Sequence, residues 1–380
     1  MNARTLRWAA SKAVVAAAPA LKRVTNFYGA GVAVADAAER MIYANDRLYE
    51  TPLRAEQTDF IRDYCQSNDL GFSEAYWQTP WRFSLEQFEL RDATFLGHTG
   101  RLIDRDLRGV VTEWGEADSI NRDKISVLRQ GPALEAVALP VPRFNNNFHF
   151  LIDAATPIID YFESGAALGG PHVILTAANQ KTFATETLAA LSAHYGAELR
   201  MVAPNEKVLC SQAVFYRRRR PASAWFPVTR ETADKLREIL LAHFGRTADP
   251  ARRRLLYLRR GQEKLRNLTN TAEMDALMAR HDFEAFQPAA SNFADQVSLC
   301  AEAQTIVAVH GAALANILFA PPGTRVVEVF GRKGCKSGYL SICHRLGLEH
   351  VISIGGEDDG DQNFAADLDH LDASLSSPAD

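Results

Sequence analysis

The chain has 380 residues, 47% apolar and 23% charged, a globular balance long enough for two domains of ordinary size. Its formal net charge of −4 excludes a global basic field for nucleic acid. Five scattered cysteines, Cys65, Cys210, Cys300, Cys335 and Cys343, form no CxxC pair, which fits reduced cytoplasmic thiols rather than a disulfide framework or a zinc site.

The N-terminal MNARTLRWAASKAVVAAAPALKR has an apolar part from Ala13 to Leu21, broken by Pro19. That is well short of the ~18 apolar residues of a membrane span. A surface helix is expected. Weak peripheral contact with an anionic membrane through Arg4, Arg7, Lys12, Lys22 and Arg23 is the first alternative, and a poor signal peptide the second. Residues 1–84 read as a helical N-terminal extension. Phe88 to Gly115 shows short β-type runs between Gly and Asp turns, which predicts a small antiparallel element. Asp104-Arg105-Asp106 falls at an expected hairpin turn there; a metal–nucleotide motif is the competing reading.

From about residue 136 strands and helices alternate. VALPVP is a strand, FHFLIDAATPIIDYFES a helix with a kink permitted at Pro157, HVILT a strand, and TFATETLAALSAHYG a helix with a glycine stop. ELRMV and VLCSQAVFY follow as strands. Arg217–Arg220 and Pro221 break the pattern; the run is a solvated face, or a patch for an anionic partner. A helix over PVTRETADKLREILLAHFG opens a second alternating set: RLLYLRR, TAEMDALMARH, FEAF, SNFADQVSLCAEA, TIVAVH, GAALANILF and RVVEVF. The expected fold is α/β, with two Rossmann-like domains facing a ligand cleft, a helical N-terminal extension and a small β element. The expected boundaries are 85–220 for the first α/β domain, 221–355 for the second and 356–380 for an acidic tail read as solvated surface.

TIVAV is an apolar run suited to a central parallel strand, so His310 falls at its carboxyl end, where open α/β sheets place ligands. Gly311, Ala312 and Ala313 let a ligand approach the first helical turn, whose unpaired N–H groups favour phosphate oxygens. A tight turn with a packed histidine is the plain alternative. Glu328 lies inside apolar RVVEVF, where a carboxylate is costly unless paired; a ribose diol or a structural arginine would serve. Arg259 or Arg260 emerges at another strand end, with Arg266 soon after. These arginines would hold a diphosphate or line a solvated loop. Asn147, His149 and Asp153 cluster in NNNFHFLID. His149 and Asp153 are four apart on one helix face, as a general base and its orienting carboxylate would be. An Asn-capped helix start with a satisfied histidine is the alternative.

At these residues the sequence resembles glycosyltransferase family 61, known in bacteria as capsular polysaccharide biosynthesis proteins. HGAALANILFAPPGTRVVEVF is similar to the family's HGAxLxN–hydrophobic–PPG–VVE signature, which brings in Leu314 and Asn316. YLRR and RNLTN resemble its strand-Ser/Arg-Arg and Arg-x-x-x-Asn elements. SNFADQVSLCAEA resembles its Ser-x-x-(Glu/Asp)-Gln helix and places Gln296 on the matching position. NNNFHFLID resembles an Asn-Tyr-x-His-Trp helix start, with Phe150 where tryptophan is usual. Arg259 stands where serine is common, and Asn270 precedes Thr271 rather than glutamate. The similarity covers about residues 85–355.

The resemblance implies a GT-B-like fold, with 85–220 as an acceptor-side domain and 221–355 as a nucleotide-sugar domain, and an inverting transfer from a UDP-sugar to a glycan or lipid-linked glycan acceptor in surface polysaccharide synthesis. It places the donor on Arg259, Arg266, Gln296, His310–Ala313, Leu314, Asn316 and Glu328, with Asn147 on the acceptor side. His149, oriented by Asp153, is the candidate base. Cationic side chains and helix N–H groups would stabilise the leaving diphosphate, so no obligatory metal or cofactor is expected. A non-catalytic nucleotide- or glycan-binding protein on the same fold is the alternative.

Overall fold

The computed structural model describes residues 49–51, 81–103, 133–165, 167–219, 228–261, 263–332 and 338–376. The described residues form two compact units; one takes those within 85–145 and 161–219, the other those within 47–84, 146–160 and 220–380. Most of the expected N-terminal helical extension, Asp104-Arg105-Asp106, Cys65, Cys335 and the side chains of Arg217–Arg220 lie outside the described residues.

The first unit takes β2 (Trp81–Leu96) from Leu85 onward; it turns into β3 (Arg101–Ile103) as an antiparallel hairpin with Thr94 opposite Ile103. This is the expected antiparallel element. The start of β2 also pairs with β1 (Tyr49–Thr51), so the described parts of residues 1–84 are strand. Three parallel strands follow: β4 (Ala133–Val141), β5 (His172–Ala177) and β6 (Glu198–Val202), with Leu139, Ile174 and Leu199 in register. The helix Thr182–Tyr195 crosses from β5 to β6 and stops at Gly196, whose φ of 65° suits a residue without a Cβ. Strand β7 (Lys207–Arg219) lies between β2 and β4. It runs through Arg219, so the arginine run does not break the pattern where the sequence suggested; Arg217 to Arg219 continue the strand backbone. Phe88, Phe95, Val173, Leu175, Val202 and Phe215 fill this unit's core.

The second unit is built on five parallel strands: β8 (Arg254–Leu258), β9 (Glu284–Phe286), β10 (Ala303–Val309), β11 (Arg325–Phe330) and β12 (Glu349–Ile354). Their order is β12-β11-β10-β8-β9. The chain steps from β8 outward to β9, then returns across β8 to lay β10, β11 and β12 on the other side. A switch point therefore falls between β8 and β10, and ligands of such sheets bind outside the carboxyl ends of the strands at that crevice. Strand β10 is buried along nearly its whole length, as its Ile and Val content predicts for a central parallel strand. Both sheets carry parallel strands with intervening helices, a Rossmann-like α/β fold.

Two helical expectations change. FHFLIDAATPIIDYFES is not one uniform α-helix. It is helical at Asn147–Phe150, widens to a π turn over Leu151–Ala155 and resumes as an α-helix at Thr156–Glu163. The widening lies just upstream of Pro157, whose ring cannot sit against a tight preceding turn and which lacks an N–H. GAALANILF is a 3-10 helix, Ala312–Phe319, tightened by the Leu314 N–H bonding to the Gly311 carbonyl.

The acidic tail is not a solvated surface. Phe364, Ala366 and Leu371 are buried in the second unit's core with Tyr257, Met274 and Val307. Asn270 clips the tail down: its Nδ2 donates to the Ala366 carbonyl at 2.9 Å and its Oδ1 accepts from the Ala366 N–H at 2.8 Å. The tail's charged side chains are all acidic, but three apolar anchors dock it.

Candidate active site

Glu328 sits in the middle of β11 with its side chain wholly buried. A bare carboxylate there would cost several kcal/mol. Two histidines divide it between them. His310 Nδ1, at the carboxyl end of β10, is 2.5 Å from Glu328 Oε1, and His350 Nε2, on β12, is 2.8 Å from Oε2. Burial pushes the Glu328 carboxyl up, but hydrogen bonds from His310 and His350 outweigh it and hold the group below the ordinary glutamate value. The partner expected for Glu328, a ribose or an arginine, is thus a histidine pair. His350 carried no signal in the sequence beyond being a polar residue in EHVISI.

The His310 ring stacks on Phe330, with centroids 4.8 Å apart, and meets Tyr339 edge-on at 5.7 Å. Tyr339 Oη donates to the Gly311 carbonyl at 2.6 Å and fixes the turn from the side. Burial, then the charge of Glu328, holds the Tyr339 hydroxyl well above its usual pKa, so it stays a donor. Gln296 and Asn316 support the turn from beneath. Asn316 Nδ2 donates to Gln296 Oε1 at 3.2 Å and to the Ala313 carbonyl at 3.0 Å, and Gln296 Nε2 donates to the Pro288 carbonyl at 2.8 Å. Leu314 is fully buried in the same scaffold. These three shape the turn, and their side chains face its interior.

Two guanidiniums gather over the turn. Arg260, just past the end of β8, lies against Gly311 so closely that a Cβ there would overlap its Nη1. Its Nη2 donates to the Leu265 carbonyl at 3.0 Å. Arg266 reaches the His310 carbonyl through a long contact of 3.5 Å, from a backbone held at φ 62°, an uncommon conformation for a side-chain-bearing residue. Nε of Arg260 and Nε of Arg266 are buried without a hydrogen-bond partner. Among the described residues neither arginine forms an ion pair. Burial and then the charge of Arg266 lower the pKa of Arg260. Two like charges held together at a strand-end crevice favour an anion between them. Arg259 is engaged elsewhere, its guanidinium 2.7 Å from Asp275.

The Asn147–Asp153 segment belongs to the same unit. Asn146, rather than Asn147, caps the helix by accepting from the Phe148 N–H at 2.9 Å. Asn147 Oδ1 is buried without a partner. Phe148 meets Tyr339 edge-on at 5.0 Å, which ties this helix start to the His310–Gly311 turn. His149 Nδ1 is 3.1 Å from Asp153 Oδ2, the pairing their spacing predicts. The carboxylate fixes the Nδ1–H tautomer and directs Nε2 away from itself.

Residues 148–327 match the family model described as Glycosyltransferase 61. The match begins at the Phe148 helix start and ends in β11, so it takes in His149, Arg260, Arg266 and His310 and stops one residue short of Glu328. It supports glycosyltransferase family 61, and with it glycosyltransferase activity. No curated protein matches the chain. Among the described residues, no helix is long and apolar enough to cross a membrane.

Proposed function

We propose that the protein is an inverting glycosyltransferase that moves a sugar from a UDP-sugar to a hydroxyl of a glycan or lipid-linked glycan, in surface polysaccharide synthesis. The observation that carries this reading is the meeting of Arg260, Arg266 and the His310–Gly311 turn at the β8/β10 switch point. In this reading the two guanidiniums and the first N–H groups of the 3-10 helix hold the diphosphate, and Gly311 leaves room for it. The donor assignment moves from Arg259 to Arg260, because Asp275 occupies the Arg259 guanidinium. A GT-B-type pairing of two Rossmann-like domains is part of the same proposal, supported by parallel strands in each unit's sheet.

Inversion needs one in-line attack by an activated hydroxyl on the anomeric carbon, with the C1–O bond to the diphosphate breaking. His149, oriented by Asp153, takes the hydroxyl proton at Nε2. The arginines take up the charge that develops on the leaving diphosphate, the task a divalent metal performs in other sites. The test is UDP release from a panel of UDP-sugars with oligosaccharide and lipid-linked acceptors, in the presence of a chelator. Acceptor-dependent turnover that survives chelation supports the reading. UDP binding without turnover on any donor would favour a non-catalytic nucleotide-binding role.

A further inference from the structure

Gly261 follows Arg260 at the carboxyl end of β8, and its φ lies outside the left-handed region, so its backbone does not require glycine. Space does. A Cβ at Gly261 would overlap Nε2 of Gln287, the residue just past the end of β9. Gln287 is half-buried, and among the described residues its side-chain amide makes no hydrogen bond. Its main chain, by contrast, is fixed. The Gln287 carbonyl accepts from the Ala290 and Ser291 N–H groups, both at 3.0 Å, and from Ser291 Oγ at 2.9 Å. The next carbonyl, of Pro288, accepts from Gln296 Nε2, the amide whose oxygen accepts from Asn316 beneath the His310–Gly311 turn. Gln287 and that turn therefore stand on one brace, on opposite flanks of β8. The Gln287 amide is held beside Arg260 with its donors and acceptor left for a ligand.

Resting on the diphosphate cradle proposed above, we propose that Gln287 is a ribose-binding residue, recognising the 2′- and 3′-hydroxyls of the donor nucleotide. A neutral amide adds nothing to the charge balance of a diphosphate, which falls to Arg260 and Arg266 in that cradle. It offers an acceptor oxygen and a donor nitrogen side by side, and a vicinal diol presents the complementary pair, because each hydroxyl both donates and accepts. In doubly wound sheets the ribose is held by a polar side chain about 20 residues beyond the phosphate-binding turn. Strand β9 is the next strand after β8, and Gln287 stands at its end, against the glycine that follows Arg260. The usual residue in that role is an acid. Glutamine supplies the acceptor without placing a negative charge near the diphosphate.

Calorimetric titration of the full chain with inorganic pyrophosphate, UDP and 2′-deoxy-UDP tests this on wild type, Gln287→Ala and Gly261→Ala. The last variant keeps Gln287 but pushes its amide aside, and its backbone accepts alanine, so it decides the matter even if Gln287→Ala does not fold. Wild type is expected to bind UDP about tenfold more tightly than 2′-deoxy-UDP. Both variants should lose about tenfold in UDP affinity and bind UDP and 2′-deoxy-UDP within about twofold of each other. Their pyrophosphate affinity should stay within about twofold of wild type, since the diphosphate contacts are untouched. Variants that keep a preference for UDP, a wild type that shows none, or equal losses of UDP and pyrophosphate affinity would overturn the role of Gln287, while pyrophosphate binding by wild type leaves the cradle standing. A folded wild type that binds neither pyrophosphate nor UDP overturns the cradle and the role of Gln287 with it.

Discussion

Arg260 and Gly311 occupy adjoining space at the carboxyl ends of β8 and β10, and the absence of a Cβ on Gly311 is what lets the guanidinium lie there. The Gly311 backbone is extended, with φ 166°, so alanine is conformationally acceptable at this position. The overlap is with the far end of a flexible side chain, which can move aside. Gly311→Ala is therefore expected to change unfolding free energy by less than about 0.5 kcal/mol. Affinity for UDP should fall about tenfold, because the displaced guanidinium no longer faces the diphosphate. Denaturant unfolding and calorimetry on the same variant separate the two effects. A large stability loss with unchanged affinity would contradict this account.

Glu328 gives a pH signature. Its carboxyl is held below the ordinary glutamate value despite its burial, through the two histidine hydrogen bonds. The stability this contributes is present above the unfolded glutamate value of about 4.3 and is lost as pH falls through the lower folded value. Glu328→Gln is expected to cost about 3 kcal/mol at pH 7, with the gap to wild type closing in acid below about pH 4. Urea midpoints of both proteins across that range check it; a gap that widens in acid would contradict the assignment.

The tail offers a test of packing away from the site. Leu371 is fully buried in the core that holds Tyr257 and Val307. Leu371→Ala should lower stability by about 3 kcal/mol, while UDP affinity is unchanged. A solvated tail, as its composition suggested, would instead give a change near zero in thermal or chemical unfolding.

Asp153 lies behind His149 and away from the diphosphate in the proposed mechanism. Asp153→Asn is expected to reduce turnover about a hundredfold while leaving UDP affinity within about twofold of wild type. Equal losses in both quantities would place Asp153 in folding or donor binding and remove it from support of the base.

The second unit's alternation was legible because parallel strands buried on both faces show as unbroken apolar runs: TIVAV and RVVEVF match β10 and β11 closely. Glu328 stood out for the same reason, as one charge in such a run. Its partners did not. His350 sits in EHVISI, where polar and apolar residues mix, and nothing local links it to a strand some twenty residues earlier. Arg259 and Arg260 show a second limit. Adjacent residues at a strand end point opposite ways, so one meets Asp275 and the other Gly311, and only the register decides which. The supporting roles of Gln296 and Asn316 were hidden by their chemistry, since an amide that braces a turn and an amide that binds a ligand look alike in sequence.

In the proposed function the β8/β10 crevice is a diphosphate cradle formed by Arg260, Arg266 and the His310–Gly311 turn. Calorimetric titration with UDP, in the presence of a chelator, of wild type, Arg259→Ala and Arg260→Ala tests it most directly. Wild type is expected to bind without a metal, Arg259→Ala to bind within about threefold of wild type, and Arg260→Ala to lose at least about tenfold. A folded wild type that does not bind UDP, or binding lost with Arg259 and kept without Arg260, would contradict it.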